Sequence, residues 1–330
     1  MPPVIDVHTH ILAEDTIRLL QKEAPSIGLK LQPLDAESAL LEVAGVPYRP
    51  FPRGGFDNDR RLQDMRTTGI DIQVLSATPQ TYLYNQEAAL TCATAALQND
   101  QIAAVIAKHP GRFLGIATLP MQAPEAAAAE LRRAMRTQGL RGAMIGSNIN
   151  GKNLDDPSLE PFWSEAEALG AFVFIHPVGV AGADRLKAYY LVNLIGNPVD
   201  TTIAAASLVF GGVLERHPRL KICLAHGGGF VPYQGGRWVH GWKVRPEPQQ
   251  ILKQSPERHL ARFVYDTITH SDESLEFLVQ TAGAGRVLLG SDYPYDMGLY
   301  DGAERVRALP ISDSEKSDIL GGRAASLLAN

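Results

Sequence analysis

Two cysteines in 330 residues are too few for a disulfide framework. Cys92 falls in "QEAALTCATAALQ" and Cys223 in "KICLAH". Neither has a metal-binding or redox spacing, and both read as small buried core residues. No apolar run approaches the length needed to span a bilayer. No surplus of one charge stands out either: 31 basic residues against 36 acidic ones leave a net charge of -5. Without a basic stripe or a polybasic cluster, nucleic acid and membrane surfaces are not expected partners. The opening residues lack the charged and apolar regions of a secretion signal, so the expected location is cytoplasmic. No Gly-x-Gly-x-x-Gly follows the first apolar run, which removes the main sequence argument for a doubly wound nucleotide-binding sheet. No internal repeat or low-complexity linker interrupts the chain.

What is present is a rhythm. Eight short runs rich in Val, Ile, Leu and Phe recur at 4–8, 71–77, 113–119, 142–146, 171–176, 221–226, 263–267 and 287–292. Most are continuous rather than alternating, as in strands covered on both faces of a parallel sheet. Helical patterns separate them, at 85–109, 123–138, 158–170, 200–218 and 272–283, and another closes the chain at 312–329. Ser158 reads as a cap for the helix that Gly170 ends. Eight β-then-α units without a change of composition predict one (β/α)8 TIM-type barrel domain over residues 1–330. One stretch breaks the rhythm. Residues 34–70 lie between the first two runs, and Pro47, Pro50, Pro52, Gly54 and Gly55 make their middle irregular. This predicts a small insertion after the first strand, an inserted subdomain at about 34–60 over the barrel mouth with a short hairpin, then a helix over 57–67.

The polar residues then fall at one end of the expected strands. The first run carries His8 and His10, the fifth ends in His176, the sixth in His226 and the eighth in Asp292. Residues i and i+2 of a strand share a face, so His8 and His10 aim together. Barrel active sites form at the C-terminal face. Imidazoles and a carboxylate suit a borderline divalent ion such as Zn²⁺, with Mn²⁺, Fe²⁺ or Co²⁺ as alternatives. Such a set can leave one position open for a water whose pKa the metal lowers to about 7, and a further histidine beside it can move a proton. His240 and His259 lie in polar stretches that read as exposed, and His270 lies just past the seventh run, within reach of the pocket.

Four motifs in this order, "IDVHTH", "IHP", "LAHGGG" and "LGSDYP", resemble the amidohydrolase superfamily, and within it the branch of metal-dependent, non-oxidative decarboxylases. "PYRP", "NLDDPSLEPFW", "GGRW" and "RVLLGSDYPYDMG" are similar to the 2-amino-3-carboxymuconate-6-semialdehyde decarboxylases of that branch. The resemblance implies that His8, His10, His176 and Asp292 ligate zinc and that His226 is the acid/base, working with Asp292 on the water at the metal. It also implies that Arg49 binds a carboxylate of a small-molecule substrate. Arg237 would reach the neighbouring subunit's site, which implies a homodimer. Where that family carries pocket-facing tryptophans after the fifth strand, this chain has Tyr189 and Tyr190. The departure bears on the substrate rather than the metal. A hydroxybenzoate-type acid as substrate, or hydrolysis on the same scaffold, stays open at this point.

Overall fold

A computed structural model describes residues 2–329 except 13 and 44, and every side chain in that range but those of Glu14 and Arg49. Eight parallel strands form a ring: β1 (Ile5–Ile11), β2 (Ile72–Ala77), β3 (Phe113–Gly115), β4 (Gly142–Gly146), β5 (Phe172–His176), β6 (Lys221–Leu224), β7 (Val264–Asp266) and β8 (Val287–Leu288). Continuous pairing joins β1 through β3 and, separately, β4 through β8. Shorter contacts close the two seams. At one, Ala117 N donates to Gly142 O at 2.8 Å and Met144 N to Ala117 O at 2.9 Å. At the other, Val7 N donates to Leu289 O at 2.9 Å and His10 N to Tyr293 O at 2.7 Å.

The ring agrees with the apolar runs, with differences at their ends. β1 continues three residues past His8, so both of its histidines lie inside the strand. β6 stops before His226 and β8 well before Asp292. Both residues instead take left-handed backbone, with φ 55 and 60. Asp156, not Ser158, makes the turn ahead of the helix Glu160–Leu169, its carboxylate accepting from Ser158 N at 2.9 Å. Cys92 is half-buried rather than core, and His259 is buried rather than exposed. Helices Glu14–Glu23 and Val231–Val244 were not expected from the apolar pattern.

Between β1 and β2 the structure forms three antiparallel strands, Lys30–Pro33, Ser38–Val43 and Val46–Pro52, where a two-stranded hairpin was expected. A helix over Asn58–Thr68 follows, its first N–H groups capped by Asp57. The small sheet has its own apolar centre in Leu41, Val43 and Phe51, joined by Leu12, Leu20 and Tyr295. Its register against Ser38–Val43 shifts by one between Tyr48 and Phe51, so Arg49 and Pro50 sit in a β-bulge.

Inside the ring, Phe172, Phe174 and His176 occupy alternate positions of β5 and share its inner face. Phe174 is fully buried, and its ring lies 4.7 Å from that of His8. The floor of the polar site is therefore aromatic. Phe174→Ala would leave a hole that neighbouring strands cannot close, and an expected loss of about 3–5 kcal/mol. Urea unfolding should show it as a lower midpoint at unchanged slope.

Candidate metal centre

Five side chains from four strand ends converge at the C-terminal mouth of the ring. His8 Nε2 lies 3.1 Å from His10 Nε2 and 3.3 Å from Asp292 Oδ1. His10 Nε2 lies 3.0 Å from Asp292 Oδ1, and His226 Nε2 3.5 Å from Asp292 Oδ2. His176 faces them from β5, its ring 5.0 Å from that of His10, 5.3 Å from His8 and 5.4 Å from His226. One ligand atom from each of His8, His176, His226 and Asp292 falls within 4.8 Å of the others. Distance alone therefore puts His226 in this group, whereas His10, expected as a ligand, is not one of the four.

The outward nitrogens of three rings have partners that free the inward ones. His8 Nδ1 meets Asp266 Oδ2 at 2.7 Å. His176 Nδ1 meets Pro177 O at 3.1 Å, and His10 Nδ1 lies 3.3 Å from Ser76 Oγ. His176 Nε2 is buried with no hydrogen-bond partner among the described residues, as is His226 Nδ1. A buried imidazole nitrogen left without a partner needs a reason. For His176 Nε2, an electron-pair acceptor at the centre of the group supplies one.

The electrostatics point the same way. Burial holds His10 near 4 and His176 well below its ordinary value, so both are neutral donors at pH 7. Burial also opposes charge on Asp292, but His8 and the other imidazoles hold its carboxyl well below the usual carboxylate range. His8 goes the other way. Burial works against its charge, but Asp292 and Asp266 outweigh it and push it up to about 10. His10 and His176 thus offer neutral nitrogens beside an anionic carboxylate, His8 would give up its proton to an ion, and this donor set fits a divalent transition-metal ion.

A cavity of about 1190 Å³ opens from His226 and Asp292 toward solvent. Arg237, on the helix Val231–Val244, lines it and is exposed; so does His270, with φ 58. On the opposite side Tyr295 packs its ring 5.2 Å from that of His10, and Tyr48 packs 5.0 Å from Tyr295. Tyr48 also donates to Asp296 Oδ1 at 2.9 Å. The expected role of Arg49 falls on a side chain outside the described residues; its backbone follows Tyr48 directly. Tyr189 and Tyr190 both have left-handed backbone, and both are exposed.

Sequence reading passed over Asp266 and Arg61. The Arg61 guanidinium is fully buried, donates to His10 O and to Gln73 Oε1, and stacks 4.7 Å over the Tyr293 ring. It lies in a stretch of alternating charges, "DNDRRLQDMR", that reads as a solvated helix face. Asp266 carried one signal, a charged residue ending an otherwise apolar run.

The family model described as Amidohydrolase matches residues 5–329. A 2-amino-3-carboxymuconate-6-semialdehyde decarboxylase from Dictyostelium discoideum is 39% identical over 326 residues, covering 98% of this chain and 91% of the relative. Among solved structures, 5-carboxyvanillate decarboxylase from Sphingomonas paucimobilis superposes with a TM-score of 0.86 at 25% identity, covering 99% of both chains. A dihydroxybenzoic acid decarboxylase from Polaromonas, solved with bound manganese and an inhibitor, superposes at 0.83 and 26% identity, covering 99% of this chain and 97% of its own. With the family pattern matched from the first strand to the last helix, this chain belongs to the amidohydrolase family.

Proposed function

We propose that the protein is a metal-dependent, non-oxidative decarboxylase of an unsaturated ring-cleavage acid, such as 2-amino-3-carboxymuconate 6-semialdehyde. The observation that carries this reading is the 39% identity, over nearly the whole chain, with a decarboxylase of that acid. His8, His10, His176 and Asp292 would hold the ion, taken here as Zn²⁺. When bound, such an ion supplies a Lewis acid and makes a coordinated water more acidic.

The rest falls to the chain's own residues. Losing CO₂ leaves an electron pair on carbon, so the carbon must first gain a proton if the pair is to have somewhere to go. His226 gives that proton to the substrate carbon. The bond to the carboxylate then breaks, its electrons restore the unsaturated system, and CO₂ departs. The balance is one carboxylate and one proton in, one C–H and one CO₂ out. Solvent returns a proton to His226 through the open cavity. Arg49 and Arg237 bind the substrate's carboxylates, for which a planar guanidinium is better shaped than an ammonium.

A second reading, a hydroxybenzoate-type acid as substrate, draws support from the likeness to the Polaromonas enzyme. A substrate panel separates the two. Loss of the ring-opened acid's absorbance with equivalent CO₂ release supports the first reading; turnover of 2,6-dihydroxybenzoate alone overturns it. A strong chelator should abolish turnover, and adding back Zn²⁺, Mn²⁺, Fe²⁺ or Co²⁺ singly should show which ion restores it.

We also take the working unit to be a homodimer in which Arg237 of one chain serves the site of the other. Tyr189, Leu194, Phe230 and Tyr233 leave much apolar surface exposed, as an interface would. Arg49→Ala and Arg237→Ala should each be nearly inactive. Mixing and re-annealing them should recover about a quarter of normal activity, because half of the dimers are mixed and each has one intact site. If Arg237 serves its own chain's cavity instead, mixing restores nothing. Cys92 and Cys223 are both free thiols, in keeping with a reducing cytoplasm. Among the described residues no helix is long and apolar enough to cross a membrane.

A further inference from the structure

We propose that Asp266 is a positioning residue that sets two imidazoles at once: His8 at the ion and His226 at the substrate. The second half rests on the reading of His226 above. Asp266 ends β7 and is fully buried. Its Oδ2 accepts from His8 Nδ1 at 2.7 Å and from the main-chain N–H of His226 at 2.9 Å. Its Oδ1 accepts from the N–H groups of Gly227 at 2.8 Å and Ile268 at 3.1 Å. Four donors thus occupy one carboxylate, which is about its full capacity.

The first consequence concerns His8. With its Nδ1 hydrogen directed at Asp266, the ring presents the Nε2 lone pair to the site, the tautomer that an ion requires. The second concerns the turn after β6. His226, Gly227, Gly228 and Gly229 have φ 55, 62, 77 and 60. Glycine adopts such backbone without steric cost; histidine does so at some cost and only where its surroundings impose it. Successive N–H groups in a left-handed turn point into a shared hollow that suits an anion. The Asp266 carboxylate occupies the hollow formed by His226 and Gly227. The same two oxygens that orient one imidazole thereby hold the backbone that carries the other.

Packing nearby is shaped to this contact. A Cβ on Gly290 would stand 2.9 Å from the Asp266 Cβ and 3.0 Å from the His8 Cβ. Only glycine lets the two side chains approach beneath the site. Asp266 also lies 258 residues from His8 but 40 from His226, so it joins the two ends of the barrel that the β8–β1 seam closes.

Asp266→Asn keeps the shape and puts an NH₂ where an acceptor stood. Each oxygen accepts from two groups, so two of the four donors then face another donor. With the NH₂ in the Oδ2 place, His8 must adopt its other tautomer, which blocks the ion, and the His226 N–H loses its acceptor, so His226 shifts. Both effects should be measurable. The dissociation constant for Zn²⁺, from chelator competition, should rise about 10- to 100-fold. At saturating ion, kcat should still be down about tenfold or more while KM moves less than about twofold, the pattern of a lost transition-state interaction. Placed in a His226→Asn background, Asp266→Asn should weaken Zn²⁺ binding as before and leave ion-saturated turnover unchanged.

If ion-saturated kcat returns to the unsubstituted value, the coupling to His226 is wrong. If Zn²⁺ affinity does not move, the coupling to His8 is wrong. Should the variant fail to fold, ¹⁵N-histidine spectra of the unsubstituted protein decide the His8 half: the Nδ1–H tautomer supports it and the Nε2–H tautomer overturns it. The Zn²⁺ and tautomer measurements need no substrate. An unsubstituted protein that releases no CO₂ would therefore reject the proposed reaction while they still decide what Asp266 does to His8.

Discussion

His226→Asn is expected to retain its metal ion and lose its turnover, with kcat falling about 100- to 10,000-fold, the usual contribution of a positioned acid or base. Asparagine is the informative replacement because residue 226 has φ 55, a conformation that Asn tolerates and most other residues resist. A fall in activity then reports the lost proton donor rather than a rebuilt turn. The turn itself is held through main-chain N–H groups that the substitution leaves in place. Metal content is the second readout, and it resolves a question the geometry poses. The His226 Nε2 is near enough to His8, His176 and Asp292 to serve as a ligand itself. Its Nδ1, though, is buried without a partner among the described residues, unlike those of His8 and His176, which are fixed by a carboxylate and a carbonyl. A ring fixed on its far side suits a ligand; a ring free there suits a group that takes up and gives away protons. One ion per chain in the variant, with turnover nearly gone, fits the acid/base role. An ion lost together with turnover would make His226 a ligand, and turnover within about tenfold of normal would remove it from the chemistry.

The parts of this site that could be read from the sequence are those whose chemistry coincides with a strand end. Apolar runs place β1, β5 and β6, and a histidine at the end of an apolar run is conspicuous. Asp292 could be read too, although it lies four residues beyond β8. The run "VLLGSD" stays apolar or small up to it, which hides the point where regular pairing stops. Asp266 could not be assigned a role, because "FVYDT" gives no hint of a partner 258 residues away. Arg61 was concealed by its neighbours: Arg60 pairs with Asp64 on the outside of the same helix, while Arg61 turns inward to the carbonyl of His10. The helix Val231–Val244 has three interior glycines, which argue against it on propensity alone. It forms through tertiary contacts that no local pattern records: Trp238 packs on Phe210, and Trp242 donates to Leu252 O at 3.0 Å. The first strand of the inserted sheet, "KLQP", is polar and largely exposed, so its pairing to Ser38–Val43 leaves no hydrophobic trace.

Asp292→Asn is expected to have the other large effect, and of a different kind, because it removes the one negative charge among the proposed ligands His8, His10, His176 and Asp292. Asparagine again suits the backbone, here at φ 60, and matches the side chain's volume. Asp292 Oδ1 lies 3.0 Å from His10 Nε2 and 3.3 Å from His8 Nε2, while Oδ2 faces His226 at 3.5 Å. One carboxylate would therefore offer one oxygen to the ion and the other to the proposed acid. An amide can imitate only the oxygen. Its NH₂ must point either at imidazole lone pairs meant for an ion or at His226, where it no longer stabilises a protonated ring. Second-layer partners of a metal site typically cost 10- to 100-fold in affinity, so losing an anionic ligand should weaken binding by more than about 100-fold. Turnover should not recover when the ion is supplied in excess, because the interaction with His226 is lost as well. This pattern separates Asp292 from His226, whose replacement is expected to leave binding of the ion intact. Weakened binding with full turnover at saturating ion would confine Asp292 to holding the metal. Unchanged binding would remove it from the ligand set altogether.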